Sequence, residues 1–309
     1  MDILKNLGIS YKASYLVQGN QMERCNTSTS LNVENTELQV RTDGKDFNIN
    51  NILKSYKGNI VLHLPPVNPD LSNLELVNDV VKKIKDSKIK LVTINASNLA
   101  LNLFEWSTLE EQKKYFLNIV TSVATIASNK IEVAFENLNP KANEVMFGSN
   151  INQMTDIIVY TRRLLTKDFG FTEEEAEKYV GITLDVNNVN TDAEKDNILN
   201  WFEVFNESIK VIKFQTIEQL RMIYDILKDK EYNGYIFYET KSDLDDIKNE
   251  YSDLETYLIE ELKKKGVEIK PKKTKKIKKD NKGFSNIMIT TMIVLTIVIV
   301  ILMFIVKLR

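Results

Sequence analysis

The chain of 309 residues is 43% hydrophobic and has one cysteine, so it has enough apolar residues for a large α/β core but excludes an internal disulfide and a cysteine-ligated zinc site. Its net charge of −2 is unevenly divided: residues 1–262 carry 28 basic and 41 acidic residues, a balance of −13, whereas residues 263–309 carry +11. The acidic part does not suit a nucleic-acid groove, because neutralising phosphates requires Lys and Arg on that part, and no nucleic-acid partner is expected.

Short β-branched runs alternate with longer stretches of helical periodicity up to residue 262, which is typical of βα units around a parallel sheet. An eighth strand is expected near the N-terminus, around LGISY or SYLVQ. The seven clearer strands are ELQVRT (37–42), NIVLHL (59–64), KLVTIN (90–95), IEVAFE (131–136), GITLDV (181–186), IKVIKF (209–214) and GYIFYE (234–239).

Helices are predicted between these strands from apolar residues spaced three and four apart. In the second helix, which begins STLEEQ, Ser107 and Glu110 have the spacing of a capping box. The predicted helices cover 70–86, 107–128, 152–166, 192–205, 217–228 and 242–265.

Eight βα units in about 250 residues have the size of a TIM barrel. A doubly wound open sheet is the alternative, but no Gly-rich phosphate loop follows any strand, and the chain has only ten glycines. Asn, Ser and Thr are too frequent in residues 18–36 to favour a helix there. The prediction is therefore an α/β (β/α)8 barrel with an irregular or partly open first unit.

Polar side chains end most of the predicted strands, at the face where TIM barrels carry their sites. Three of them are carboxylates, which repel one another unless a cation lies among them. The strand-end residues are His63, Asn95, Glu136, Asp185, Gln215 and Glu239.

Two hypotheses supply that cation, and the residues alone leave both open. In the first, a divalent ion such as Mg²⁺ or Mn²⁺ binds to the carboxylates and to the amide oxygen of Gln215. In the second, the ammonium of Lys213 takes its place, since Lys213 and Gln215 are two residues apart and face the same side of a strand. The cofactor is then either a divalent metal or none.

Four short motifs occur in an order and spacing that resembles the xylose isomerase-like TIM barrels, a group of sugar isomerases and epimerases that also includes endonuclease IV. They are FEN at 135–137, LDVNN at 184–188, KFQTIEQLR at 213–221 and EYNGYIFYE at 231–239. The resemblance covers roughly residues 37–262. The many histidines and basic face that endonuclease IV needs are missing from a chain with a single histidine.

The resemblance to the epimerase branch implies a bound metal, two carboxylates that move protons beside a substrate carbonyl, and an arginine that contacts substrate. Three positions depart from it, because histidines of the family are replaced by Gln215, Asn188 and Lys213. The implied metal ligands are Glu136, Asp185, Gln215 and Glu239, the implied catalytic pair is Glu136 and Glu239, and the implied substrate-contacting residues are His63, Asn188, Lys213 and Arg221.

Two functions therefore remain. The first is a degenerate, non-catalytic relative of the sugar isomerases and epimerases that acts as a binding or scaffold module, with Lys213 neutralising the carboxylates. The second is a divergent metal-dependent isomerase or epimerase of a sugar or polyol, in which the metal stabilises the enediolate formed by proton abstraction. Only the second requires a divalent cation at the mouth.

Residues 287–306 form an uncharged run of twenty residues, which at about 1.5 Å per residue matches the thickness of bilayer hydrocarbon. A run with eleven lysines, residues 263–282, precedes it and is expected on the cytoplasmic side, near anionic lipid. The N-terminus lacks the apolar region of a signal peptide. The predicted organisation is a barrel at 1–262, a Lys-rich linker at 263–286 and a membrane helix at 287–306, giving a tail-anchored protein that faces the cytoplasm.

Overall fold

A closed barrel of eight parallel strands forms the centre of the computed structural model. The structure describes residues 3–11, 21–40, 49–97, 99–139, 143–189, 194–240 and 242–264. The barrel strands are β1 (Leu7–Ser10), β2 (Asn35–Gln39), β3 (Asn59–His63), β4 (Leu91–Ile94), β6 (Glu132–Glu136), β8 (Val180–Asp185), β9 (Ile209–Phe214) and β10 (Tyr235–Glu239). Two short antiparallel strands, β5 (Leu99–Ala100) and β7 (Glu144–Val145), pair outside the barrel.

Helices follow the strands and pack around the barrel. The described helices are α1 (Ile3–Asn6), α2 (Gln21–Ser30), α3 (Ile49–Ser55), α4 (Leu74–Ile84), α5 (Leu101–Trp106), α6 (Leu109–Ala127), α7 (Ile151–Asp168), α8 (Glu173–Tyr179), α9 (Glu194–Phe205), α10 (Ile217–Asp229) and α11 (Asp246–Lys264).

The barrel closes through β1, which pairs in parallel with both β10 and β2. The predicted TIM-type barrel is therefore confirmed, and the alternative of an open sheet is wrong. The eighth strand lies in LGIS, the first of the two stretches expected to hold it. Strand β2 begins two residues before the predicted ELQVRT and ends at Gln39, so its inward-facing residues are Asn35, Glu37 and Gln39.

Residues 21–30 form the helix α2, although the sequence disfavoured a helix there. Its hydroxyl side chains donate to carbonyls three or four residues earlier, including Thr27 to Glu23 at 3.0 Å and Thr29 to Cys25 at 2.8 Å. Cys25 is fully buried against the core. The absence of a helix expected in this stretch is therefore wrong, because these contacts satisfy the polar side chains within the helix itself. The partly open barrel is also wrong, because the barrel is closed.

The N-cap residue of helix α6 lies one residue later than predicted. Its capping box pairs Thr108 with Glu111, not Ser107 with Glu110, and the Glu111 carboxylate accepts from the Thr108 backbone at 2.7 Å. The short helix α8 has no predicted counterpart, although it carries the same device between Thr172 and Glu175.

Side chains alternate along each strand, so one set fills the barrel interior in layers. The layer nearer the N-terminal ends of the strands, the lower layer, is apolar. The residues two positions further along the strands are mostly polar. The lower layer consists of Val61, Leu91, Ala134, Val211 and Phe237. This packed floor lies beneath the polar strand ends and separates them from the opposite face of the barrel.

All described residues belong to one compact unit that comprises residues 1–269. Helix α11 ends at Lys264, two residues beyond the predicted domain boundary. Among the described helices, none combines the length and apolar character needed to cross a membrane. The predicted membrane helix at 287–306 and most of the Lys-rich linker lie outside the described residues.

Candidate binding site at the mouth of the barrel

A layer of polar side chains crosses the barrel directly above its apolar floor. Backbone register places Ser10 beside both Glu37 and Glu239, and Asp185 beside Lys213. The polar layer consists of Ser10, Glu37, His63, Thr93, Glu136, Lys213 and Glu239. Each of these residues is at least 94% buried. This layer brings together four of the residues singled out in the sequence: His63, Glu136, Lys213 and Glu239.

Lys213 lies between two carboxylates at the centre of this layer. Its ammonium Nζ is 2.7 Å from Glu136 Oε2 and 2.8 Å from Glu37 Oε1, and all three side chains are fully buried. Glu136 is on β6 and Glu37 is on β2, so the lysine bridges strands that are not neighbours. A buried charge with two such partners is strongly held, since removing one partner leaves an uncompensated charge.

Burial by itself lowers the pKa of Lys213, but the charges of Glu136, Glu37 and Glu239 raise that pKa by more, and the result lies above the ordinary value for lysine. Lys213 is therefore a cation at neutral pH. In that state it has three N–H donors and no acceptor, so it serves neither as a general base nor as a nucleophile.

Glu37 is the residue of this layer that the sequence reading missed. Besides Lys213, its carboxylate accepts hydrogen bonds from the hydroxyls of Ser10 and Thr93. The predicted strand began at Glu37 and therefore placed it far from the mouth, whereas β2 ends at Gln39. The polar residues at every second position, Asn35, Glu37 and Gln39, were the sequence signal that could have placed Glu37 inside the barrel.

His63 connects Thr93 to the opposite side of the layer. Its Nδ1 is 2.9 Å from Thr93 Oγ1, whose hydrogen goes to Glu37, and its Nε2 is 3.1 Å from Asn95 Oδ1. Both ring nitrogens thus lie within hydrogen-bond distance of a side-chain oxygen. Nδ1 also lies 3.5 Å from Glu136 Oε2, so the imidazole ring adjoins the carboxylates of the layer.

Asp185 organises the loop that follows β8. Its carboxylate accepts from the backbone N–H of Asn187 at 3.0 Å and from the side chain of Asn188 at 2.9 Å. Asn137 fixes the same strand end, because it donates to the Asp185 carbonyl at 3.0 Å and accepts from the Asp185 N–H at 2.6 Å. Asn188 also donates to the Asn137 carbonyl, so it serves the structure of the loop.

Glu239 and Gln215 form a separate pair on neighbouring strands. Gln215 Nε2 donates to Glu239 Oε1 at 3.0 Å, and the Gln215 backbone N–H donates to Gln219 in the first turn of α10. The other oxygen of Glu239, Oε2, is buried and has no hydrogen-bond donor among the described residues. The side chain of Gln215 is thus held by Glu239.

Arg221 lies in the second turn of α10, where its side chain is exposed. Its guanidinium carbon is 4.8 Å from the centre of the Tyr257 ring on α11, within the range of a cation–π contact. Among the described residues, the contact with Tyr257 holds Arg221 on the outer helices. Its role as a substrate contact stays a prediction.

The predicted metal ligands do not present a fitting donor set for a divalent cation. The ammonium of Lys213 lies against Glu136, Asp185 holds two amide groups of its own loop, and Gln215 directs its N–H group at Glu239. Within the described ranges, no three or more His, Cys, Asp or Glu side chains are grouped as a metal site requires. The groups that would bind a metal are thus already occupied by contacts within the protein.

The fold is shared with solved structures of very different sequence. L-ribulose 3-epimerase superposes with a TM-score of 0.61 at 13% identity, covering 86% of this chain and 99% of that one. For 3-keto-D-glucoside 4-epimerase from E. coli the TM-score is 0.59 at 13% identity, with coverage of 81% and 99%. AP endonuclease family 2 from Brucella melitensis gives 0.58 at 11% identity, with coverage of 82% and 98%.

No protein-family profile and no curated protein sequence matches this chain. The structural matches show the fold alone, a barrel that these epimerases also have. At such low identity they do not carry over an activity, so the chemistry must be argued from the mouth itself.

Proposed function

We propose that this protein is a metal-free binding module whose barrel mouth takes a sugar or polyol and does not isomerise it. The observation that carries the proposal is the position of Lys213, fully buried with its ammonium 2.7 Å from Glu136 and 2.8 Å from Glu37. The Lys213 ammonium thereby supplies the positive charge that the carboxylates at the barrel mouth require. The fold shared with sugar epimerases supports the class of ligand.

Turnover by the epimerase route needs carboxylates that are available to take up and return a proton beside a carbonyl. Glu136 is engaged by Lys213 at 2.7 Å and lies 3.5 Å from His63, so it is stabilised as a carboxylate. Proton abstraction by Glu136 would break this arrangement at the cost of a buried ion pair. In the proposed function the polar layer is a rigid base, and the residues above it contact the ligand.

The residues available to a ligand lie at the upper rim of the mouth. Asn95 and Gln215 are half-buried, and Glu239 keeps one oxygen without a donor among the described residues. Amide and carboxylate groups of this kind bind the hydroxyls of sugars by hydrogen bonds. The ligand is thus oriented by neutral and acidic groups, and Lys213 stays beneath them.

Metal binding tests the proposal. The full chain, purified in detergent without chelator, is expected to contain no stoichiometric Mg²⁺, Mn²⁺ or Zn²⁺ by plasma mass spectrometry. Its Tm is expected to stay unchanged when Mn²⁺ is added. Stoichiometric metal together with a Tm increase that Asp185→Asn removes would overturn the proposal in favour of a metal-dependent isomerase.

We also propose that residues 287–306 anchor the protein in a membrane, with the Lys-rich linker and the barrel on the cytoplasmic side. The support is the sequence alone: twenty uncharged residues after a run with eleven lysines. A lysine at the centre of such a helix costs about 2.5–3.5 kcal/mol of insertion free energy. Ile297→Lys should therefore move the protein into the carbonate-soluble fraction. The matched control Leu308→Lys, placed outside the run, should remain in the pellet, and equal fractionation of both variants would contradict the anchor.

A further inference from the structure

Three side-chain oxygens at one sector of the mouth are buried without a donor. They are Glu239 Oε2, Gln39 Oε1 and Gln21 Oε1, and their residues are 6%, 7% and 5% exposed. Among the described residues none donates a hydrogen bond to these three atoms. A buried acceptor without a donor is costly, and most of all when it carries charge, so these oxygens indicate groups that a ligand satisfies.

The three oxygens belong to one sector of the barrel, formed by β10, β1 and β2. Ser10 on β1 is in register with Glu239 on one side and with Glu37 on the other. Gln39 is two residues beyond Glu37 on β2 and faces the same interior. Gln21, the first residue of α2, donates through Nε2 to the Gln39 backbone carbonyl at 2.8 Å, which holds the Gln21 side chain next to the end of β2.

The charge of the strand ends indicates which kind of hydrogen-bond donor suits these three oxygens. The inward-facing strand ends carry four carboxylates, Glu37, Glu136, Asp185 and Glu239, and one lysine, Lys213. The Lys213 ammonium is in ion-pair contact with Glu37 and Glu136, and the His63 ring lies against Thr93 and Asn95. Among the described residues, the Glu239 carboxylate has no ion pair, so its negative charge is not compensated by a contacting cation. A hydroxyl supplies one donor and no charge, whereas a primary ammonium supplies three donors, no acceptor and a positive charge.

We infer that the ligand of this mouth is a polyhydroxylated amine, whose ammonium group binds Glu239 in the sector formed by β10, β1 and β2. The inference rests on the proposed function, since it specifies the ligand class of the same site. Glu239 supplies the charged contact through Oε2, and Gln39 and Gln21 supply neutral acceptors beside it. The hydroxyls of the ligand then contact the remaining rim of the mouth.

A pair of polyols that differ in one group tests the inference. D-glucamine carries an ammonium where D-glucitol carries a hydroxyl, and both are titrated by calorimetry into the full chain in detergent micelles at neutral pH. D-glucamine is expected to bind at least about tenfold more tightly, because a charged hydrogen bond replaces a neutral one. In Glu239→Gln the difference should fall below about twofold, while Asp79→Asn, an exposed carboxylate on α4, should preserve it.

Equal affinity of the wild-type protein for the two polyols overturns the inference and leaves the proposed function standing. Binding of neither overturns the inference together with the ligand class of the proposed function. Gln39→Glu provides a second test that does not depend on the folding of Glu239→Gln. Its added carboxylate should increase the preference for D-glucamine, and an unchanged or reduced preference contradicts the inference.

Discussion

The two sides of the barrel mouth differ in how completely their polar groups are satisfied. On the side formed by β6, β8 and β9, the carboxylates of Glu136 and Asp185 accept from Lys213, Asn187 and Asn188. On the side formed by β10, β1 and β2, oxygens of Glu239 and of two glutamines have no donor among the described residues. We interpret the first side as the one that holds the fold together and the second as the one that the proposed ligand contacts.

The difference explains how one barrel accommodates so many buried charges. Buried ion pairs contribute little net stability, but they become costly when one partner is lost. The satisfied side therefore carries groups that depend on one another. The unsatisfied side carries groups whose partners come from outside, and changes there should affect binding more than folding. The following predictions compare the two sides, from the largest expected effect to the smallest.

Lys213→Met should produce the largest loss of stability, about 3–5 kcal/mol of unfolding free energy, because Glu37 and Glu136 lose their shared cation. Lys210→Met is the matched control on the same strand, since Lys210 is 14% exposed and pairs with Glu132 at 2.9 Å. That pair is partly solvated and should cost about 1 kcal/mol or less. Urea denaturation of both variants measures the difference, and equal losses would contradict the central role of Lys213.

Asn137→Ala should cost about 2 kcal/mol, because it leaves the backbone groups of Asp185 without two buried hydrogen bonds. Gln215→Ala, which removes one half-buried hydrogen bond to Glu239, should cost about 1 kcal/mol or less. Both values come from denaturant midpoints at a constant m-value. A larger loss in Gln215→Ala would reverse the assignment of the two sides.

Glu239→Gln should change the unfolding free energy by no more than about 1 kcal/mol, because it removes a charge that has one oxygen unsatisfied. Glu136→Gln should cost about 2 kcal/mol, since it removes the charge that Lys213 contacts at 2.7 Å. The two substitutions are chemically identical, so only their surroundings differ. If Glu239→Gln were the more destabilising, Glu239 would be part of the fold and not a ligand contact.

Cys25, outside the mouth on α2, gives a prediction that depends on pH. Burial raises the pKa of its thiol to about 12, above the ordinary value of about 8.5. A raised thiol pKa means that stability is fully present below the unfolded pKa and is lost as pH rises toward the folded one. Above about pH 9 the thiol should therefore lower the unfolding free energy by about 1.4 kcal/mol per pH unit. Cys25→Ala should have a shallower slope by that amount in denaturation series across this range, and an identical slope would show that the thiol is accessible.

Sequence patterns located the strands well because β-branched runs such as NIVLHL and GYIFYE fill both faces of a buried strand. They misplaced β2, whose five residues, NTELQ, include one apolar side chain, Leu38, and no long β-branched run. They also disfavoured α2, since the hydrogen bonds that satisfy its Ser and Thr side chains appear only once the helix exists. In α8 the signal was present, as the pair Thr172 and Glu175 precedes a short amphipathic stretch.

The sequence predicted most residues of the candidate site, but it did not predict which of them contact one another. Strand alternation correctly directed Lys213 and Glu136 into the barrel. Strand alternation did not identify Glu37 as the second partner of Lys213. Glu37 is on β2 and Lys213 is on β9, three strands apart around the barrel through β10 and β1, and barrel closure brings the two side chains within 2.8 Å of each other. The engagement of Asp185 by its own loop likewise depends on the turn that follows β8.

The central claim is that Lys213 fills the place of a metal ion, and anomalous scattering from crystals grown with Mn²⁺ tests it most directly. The account predicts no anomalous peak at the mouth and a Lys213 ammonium that remains between Glu37 and Glu136. A peak at about 2.1 Å from oxygens of Glu136 and Asp185, the distance of a small divalent cation from its ligands, with Lys213 displaced, would contradict it.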